Sequence, residues 1–121
     1  MKLLTLNTHS LIEPDYEAKR EIFVNFIAAE QPEVFALQEV NQTAAAPLLG
    51  EAPVGYYPCS GNTVLLKADN HAAAVARTLE KQGVQYHWSW LPAKIGYDRY
   101  DEGAAVFSRA PITAAENLLL S

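Results

Sequence analysis

A four-residue run with no polar member, Val34-Phe35-Ala36-Leu37, constrains this chain more than any other feature. Such runs suit a strand covered on both faces, because polar alternation is needed only where one face meets water. A layered sheet follows, and the run delivers Gln38 and Glu39 at its C-terminal end. Pro32 precedes it and closes whatever helix comes before, since the residue ahead of a proline is pushed out of the α region. That helix is readable over residues 16–30. Ile22, Phe23, Phe26 and Ile27 recur at i, i+3 and i+4 and form one apolar stripe, with Asp15 as the expected N-cap.

Residues 2–8 read as an opening strand, with Leu4 and Leu6 on one face and Leu3, Thr5 and Asn7 on the other. Thr8 to Asp15 reads as a loop. Pro47, Gly50, Pro53, Gly55, Pro58 and Gly61 punctuate residues 41–67 too often for long regular elements, with a short strand at Val64-Leu65-Leu66. A second helix is predicted over 70–82, capped by Asp69, with Val75 and Leu79 inward and Gly83 at the stop. Val84, Tyr86, Trp88 and Trp90 alternate with Gln85, His87 and Ser89 as a half-buried strand. Pro92 to Asp101 reads as a loop, Gly103 to Phe107 as another buried strand, and 112–120 as its neighbour. The order β-α-β then α-β-β predicts a mixed sheet with helices packed on it.

The chain of 121 residues is expected to form one domain without internal boundary. Half its residues are apolar and 19% are charged, which excludes a disordered tail. Nine Lys and Arg against fourteen Asp and Glu argue against a free-standing nucleic-acid module, whose footprint is basic. The single Cys59 excludes an internal disulfide framework and a Cys-rich zinc site. No apolar run approaches the ~18 residues of a membrane helix, and the first residues turn polar too soon for a secretory signal. A cytoplasmic protein is the expectation.

Three features carry chemistry. Asn7 ends the opening strand and is followed by Thr8, His9 and Ser10. Glu39 ends the buried second strand. Tyr100-Asp101-Glu102-Gly103 leads toward Ser108-Arg109-Ala110-Pro111-Ile112. In sheets layered with helices, ligands gather beyond the C-terminal ends of the strands. A carboxylate beside a carboxamide is a hard-oxygen pair suited to Mg²⁺, which takes few protein ligands and keeps its waters. Each feature alone has a plainer reading: Glu39 as a solvated carboxylate, Asn7 as a turn former, Glu102-Gly103 as a turn, and Arg109 as a stem covering apolar surface. His9, His71 and His87 lack metal-ligand spacing, with His71 expected on an exposed helix face.

Leu6-Asn7, Leu37-Gln38-Glu39-Val40, Glu102-Gly103 and Ser108-Arg109-x-Pro111-Ile112, in that order, resemble the N-terminal half of the endonuclease/exonuclease/phosphatase superfamily. That group includes deoxyribonucleases, apurinic endonucleases, sphingomyelinases and inositol-polyphosphate phosphatases. The resemblance implies an α+β, four-layer α-β-β-α sandwich, of which residues 1–121 supply about the first half. It also implies Mg²⁺-dependent phosphoester cleavage, with Mn²⁺ as an alternative. Glu39 would be the principal metal carboxylate, and Asn7 would sit beside metal and phosphate. Glu102 would position the active-site groups, with His9 and Arg109 toward substrate. The stretch Tyr86 to Pro92, continuing through Tyr97-Asp98-Arg99 to Gly103, together with Asn7-Thr8-His9-Ser10, looks like a bacterial branch that includes sugar-phosphate phosphatases such as maltose-6-phosphate phosphatase.

Two departures from the pattern stand out. The apurinic-endonuclease branch has an Asp two positions after the Asn, where this chain has His9. The family's later Asp-x-Asn and terminal Asp-His motifs have no counterpart after Ile112. The expectation is therefore an enzyme in its complete form and an inactive fragment alone, self-associating or binding a complementary C-terminal half. A small phosphorylated substrate is favoured over nucleic acid, with no membrane partner. The alternatives are a nuclease of the same superfamily and a non-catalytic binding or assembly module that keeps the fold. A flavodoxin-like protein ranks low, since no Gly-rich phosphate loop follows the first strand.

Overall fold

The described residues alternate strand and helix twice before two antiparallel strands: β1 (Leu3–Asn7), α1 (Tyr16–Glu30), β2 (Val34–Thr43), α2 (His71–Lys81), β3 (His87–Gly96) and β4 (Tyr100–Ser108). The computed structural model describes residues 3–7, 14–50, 53–58, 65–96 and 100–112. The expected strand over 112–120, His9 and Val64 fall outside them.

One four-stranded sheet runs in the order β1-β2-β4-β3. β1 lies parallel to β2, as a strand-helix-strand crossover requires. The other two pairings are antiparallel. Register partners share a face of a sheet, so Phe35, Phe107 and Trp88 form one inward row and Leu37, Ala105 and Trp90 the next. The Phe35 and Phe107 rings stack at 4.5 Å, and Trp88 stacks on Phe107 at 5.8 Å. Val24 and Ile27 of α1 and Ala72, Val75 and Leu79 of α2 close this core. Both indoles satisfy their N–H inside it: Trp88 donates to the Val54 carbonyl at 2.9 Å and Trp90 to that of Val40 at 3.0 Å.

Several expectations are corrected. The apolar stripe of α1 is rotated from the predicted one: Val24 and Ile27 are buried, whereas Ile22 is 69% and Phe26 48% exposed. The helix rests on a single sheet face, which covers only a narrow arc. Asp15 occupies the N-cap position in left-handed conformation and makes no side-chain cap; only its carbonyl serves, accepting from Lys19. Asn70, not Asp69, caps α2, with its Oδ1 accepting from the Ala73 amide at 3.1 Å. Asp69 instead accepts from the Thr43 amide at 2.9 Å. The predicted loop from Pro92 is strand: β3 runs through Pro92 to Gly96. Proline is tolerated there because β3 is an edge strand. β4 is buried on one face only, since Ala104 and Val106 are exposed between Gly103, Ala105 and Phe107.

The connection after β2 is irregular where described, yet it is pinned. Trp88 donates its amide to the Gly55 carbonyl at 2.8 Å, and Tyr57 donates back to the Trp88 carbonyl at 2.7 Å. Gly55 has φ +77°, and a Cβ there would stand 2.2 Å from the Tyr86 carbonyl oxygen, so only glycine serves.

Candidate active site

β2 is where the candidate site is built, and it does so through a defect. Leu37 pairs with Ala105 and Val40 with Gly103, so Gln38 and Glu39 together oppose Ala104. That is a β-bulge, with one extra residue on β2. Glu39 adopts φ +55°, a conformation that L residues with side chains seldom take. A single such residue costs about 1 kcal/mol or more, and held strain of this kind clusters at functional positions. Glu39 therefore lies within β2 rather than at its end, which corrects the sequence reading. The residue is half-buried, and its Oε2 is enclosed.

The register gathers the other candidates around it. Asn7 pairs with Gln38 across the β1–β2 ladder, so its Cα stands roughly 6 Å from that of Glu39. Glu102 pairs with Asn41, two residues beyond Glu39, which puts the Glu39 and Glu102 Cα atoms roughly 8 Å apart. Asn7, Glu39 and Glu102 thus share one end of the β1-β2-β4 ladder. Arg109 does not join them. Ser108 pairs with Val34 at the start of β2, and the Arg109 amide donates to the Glu33 carbonyl at 2.9 Å. Six residues of β4, Gly103 to Ser108, separate Arg109 from Glu102, roughly 20 Å, beyond the reach of an arginine side chain.

Two residues that sequence reasoning missed belong to this end. Asn41 is fully buried beside Glu39, and Gln42 is fully buried beyond it. The signal lay in Asn41-Gln42 extending a buried strand with no turn residue between them and Val40. Polar side chains in a sheet interior require built partners.

The donor set can be weighed against a divalent cation. Among the described residues, no three His, Cys, Asp or Glu side chains converge to cage an ion. Mg²⁺ does not need such a cage, because one or two carboxylates and retained waters suffice. Glu39, with an enclosed carboxylate oxygen on a strained bulge, and Glu102 nearby meet that lesser demand. Two cavities among the described residues lie elsewhere. One of about 480 Å³ lies between Leu49, Pro53 and the Ala76–Arg77 side of α2, and another of about 370 Å³ lies between α1 and α2. Glu39 and Glu102 are both half-buried.

A histidine buried under the helices sets the pH response of the fold. His71, expected to be exposed, is 3% exposed at the first turn of α2. Its Nδ1 meets the Tyr16 hydroxyl at 2.7 Å. Burial, reinforced by the Arg20 cation, lowers its pKa to about 4 from an ordinary 6.5. The neutral ring is thus favoured in the folded state, while the unfolded chain takes up the proton first. Stability is complete above pH 6.5, declines as pH falls through 6.5 toward 4, and levels off below that, losing about 3 kcal/mol in all. Arg20 faces both members of the Tyr16–His71 pair, and Asp69 faces Tyr16. Chemical denaturation between pH 4 and 7 should show this slope in the wild type and lose it in His71→Gln. An equal slope in both proteins would remove His71 as its source.

The comparisons with known proteins bear on the fold and the family. The chain superposes on an endonuclease/exonuclease/phosphatase family protein from Leptotrichia buccalis with a TM-score of 0.78 and 31% identity over 94% of its length. A protein described as endonuclease/exonuclease/phosphatase from Beutenbergia cavernae matches in fold, with a TM-score of 0.56 and 21% identity over 95% of the chain. The chain spans 39% of the length of the first and 27% of the second. No curated protein matches it. The pattern of the endonuclease/exonuclease/phosphatase family matches residues 4–120, and the chain belongs to that family.

Proposed function

We propose that this chain is the N-terminal part of a Mg²⁺-dependent phosphoesterase that acts on a small phosphorylated substrate such as a sugar phosphate. The single observation behind this reading is the bulge at Glu39, which strains a carboxylate into place next to Asn7 and across from Glu102. A bound divalent cation supplies neutralisation of charge on the phosphoester and its leaving oxygen. Glu39 holds that cation, with Asn7 beside it. Glu102 orients the surrounding groups, and His9, outside the described residues, is assigned toward substrate. The excess of acidic residues favours a small anion recognised at a metal over a polyanion gripped along its length.

The rest of the protein completes the site. The outer face of the sheet presents Val106, 45% exposed, with Ala104 exposed and Val34, Ala36 and Leu91 half-buried. Apolar faces of this kind are covered in stable proteins, and we assign this one to the part of the polypeptide that the longer relatives possess and this chain does not span. One experiment tests both statements. The full-length protein should release phosphate from sugar phosphates in Mg²⁺ and stop in EDTA, with little action on duplex DNA. The isolated 121-residue chain should be inactive and should associate in light scattering. Preferential DNA cleavage would favour the nuclease reading. Full activity in EDTA would sink the metal assignment, and a stable 121-residue monomer would sink the claim for the outer face.

A further inference from the structure

Gln42 is a polar side chain with every hydrogen-bonding position in use. It is buried completely, three residues beyond Glu39 and in register with Asp101. Its Nε2 donates to the Leu65 carbonyl and to Asp101 Oδ2, each at 3.0 Å. Its Oε1 accepts from the Lys67 amide at 2.8 Å and from Asn70 Nδ2 at 3.0 Å. A carboxamide has two N–H donors and two acceptor sites, so its capacity is spent. One side chain thereby joins β2, β4, the connection at 65–67 and the cap of α2. Two neighbouring bonds continue the seam: the Thr43 amide to Asp69 Oδ1 at 2.9 Å, and Lys67 Nζ to the Ala44 carbonyl at 3.1 Å.

The location gives this clamp a role beyond stability. A bulge is the place where a ladder can slip, and a one-residue slip turns each side chain to the opposite face. On one side of the Glu39 bulge the register is held by the stacked Phe35–Phe107 pair. On the other side Gln42 grips Asp101, the immediate neighbour of Glu102. The residue type is also specific. A glutamate would set a second carboxylate against Asp101 and lose both donors, and an apolar residue would leave four polar groups without this partner.

We propose that Gln42 is the positioning residue of the candidate metal site. It locks β2 to β4 beyond the bulge, so that Glu39 and Glu102 face a divalent cation in one fixed arrangement. The inference rests on the metal-site reading above and extends it to a residue that never touches the ion.

The test is Mg²⁺ calorimetry on the full-length protein, at a temperature where thermal melts show every variant folded. Gln42→Met keeps the length of the side chain and removes its bonds. Asp101→Ala opens the same clamp from a half-buried position on β4 and guards against misfolding of the first variant. Val75→Ala loosens the core under α2 and reports destabilisation alone. Both clamp variants should raise the Kd for Mg²⁺ about 10- to 100-fold, the range seen when support of a metal ligand is lost. The double variant should add little to either, while Val75→Ala should bind as the wild type does. An unchanged Kd in both clamp variants, or an equal weakening in Val75→Ala, would overturn the role of Gln42. Wild-type protein showing no Glu39-dependent binding would instead overturn the metal-site reading, and the clamp's role with it.

Discussion

Glu39→Gln in the full-length protein should lower Mg²⁺-dependent phosphoester hydrolysis by about 10³-fold, some 4 kcal/mol of transition-state stabilisation. The substitution keeps the size and hydrogen-bonding reach of the side chain and removes only its charge. It therefore leaves the bulge intact and isolates the grip on the cation. A companion pair of variants exposes the backbone strain. Glu39 sits at φ +55°, where glycine is at ease and alanine is not. Glu39→Gly should therefore be more stable than Glu39→Ala by about 1 kcal/mol, although both are equally inactive. Phosphate-release kinetics and denaturant melts read the two effects separately. Glu39→Gln activity within tenfold of wild type would remove this residue from the chemistry.

Gly103→Ala should be a severely damaging small substitution, costing about 3 kcal/mol or more. A Cβ at that position would stand 2.1 Å from the Leu91 carbonyl oxygen and 2.9 Å from Pro92 Cα. Both are backbone atoms of the paired strand, so no rotamer change can relieve the clash. Relief would require β3 and β4 to separate beside Glu102. Thermal unfolding of the full-length protein should fall by roughly 10 °C. Gly50→Ala makes a clean control, because nothing lies within 4 Å of its added methyl group. Equal melting temperatures for the two variants would contradict the packing described here.

The legible and illegible parts of this fold divide along physical lines. Both helices could be placed from the chain alone, because periodicity and the stops at Pro32 and Gly83 are local signals. The resemblance placed Asn7, Glu39 and Glu102 together, and the register brings their backbones to one end of the sheet. The bulge was invisible, since Gln38-Glu39-Val40-Asn41 carries no glycine to announce a positive φ. Choosing between Asp69 and Asn70 as the cap required knowing that the Thr43 amide claims the aspartate. His71 looked solvent-facing because its partner Tyr16 lies on the other helix, 55 positions earlier. Arg109 looked close to Glu102 along the chain, but an intervening strand carries it to the far end of the sheet. In each miss the deciding partner was remote in sequence.

The segment around Gly55–Tyr57, hydrogen-bonded to Trp88, occupies part of the outer rim of β3. Pro92 withholds another amide farther along the same strand. An incoming extended peptide thus meets two interruptions along this flank, one at Trp88 and one at Pro92.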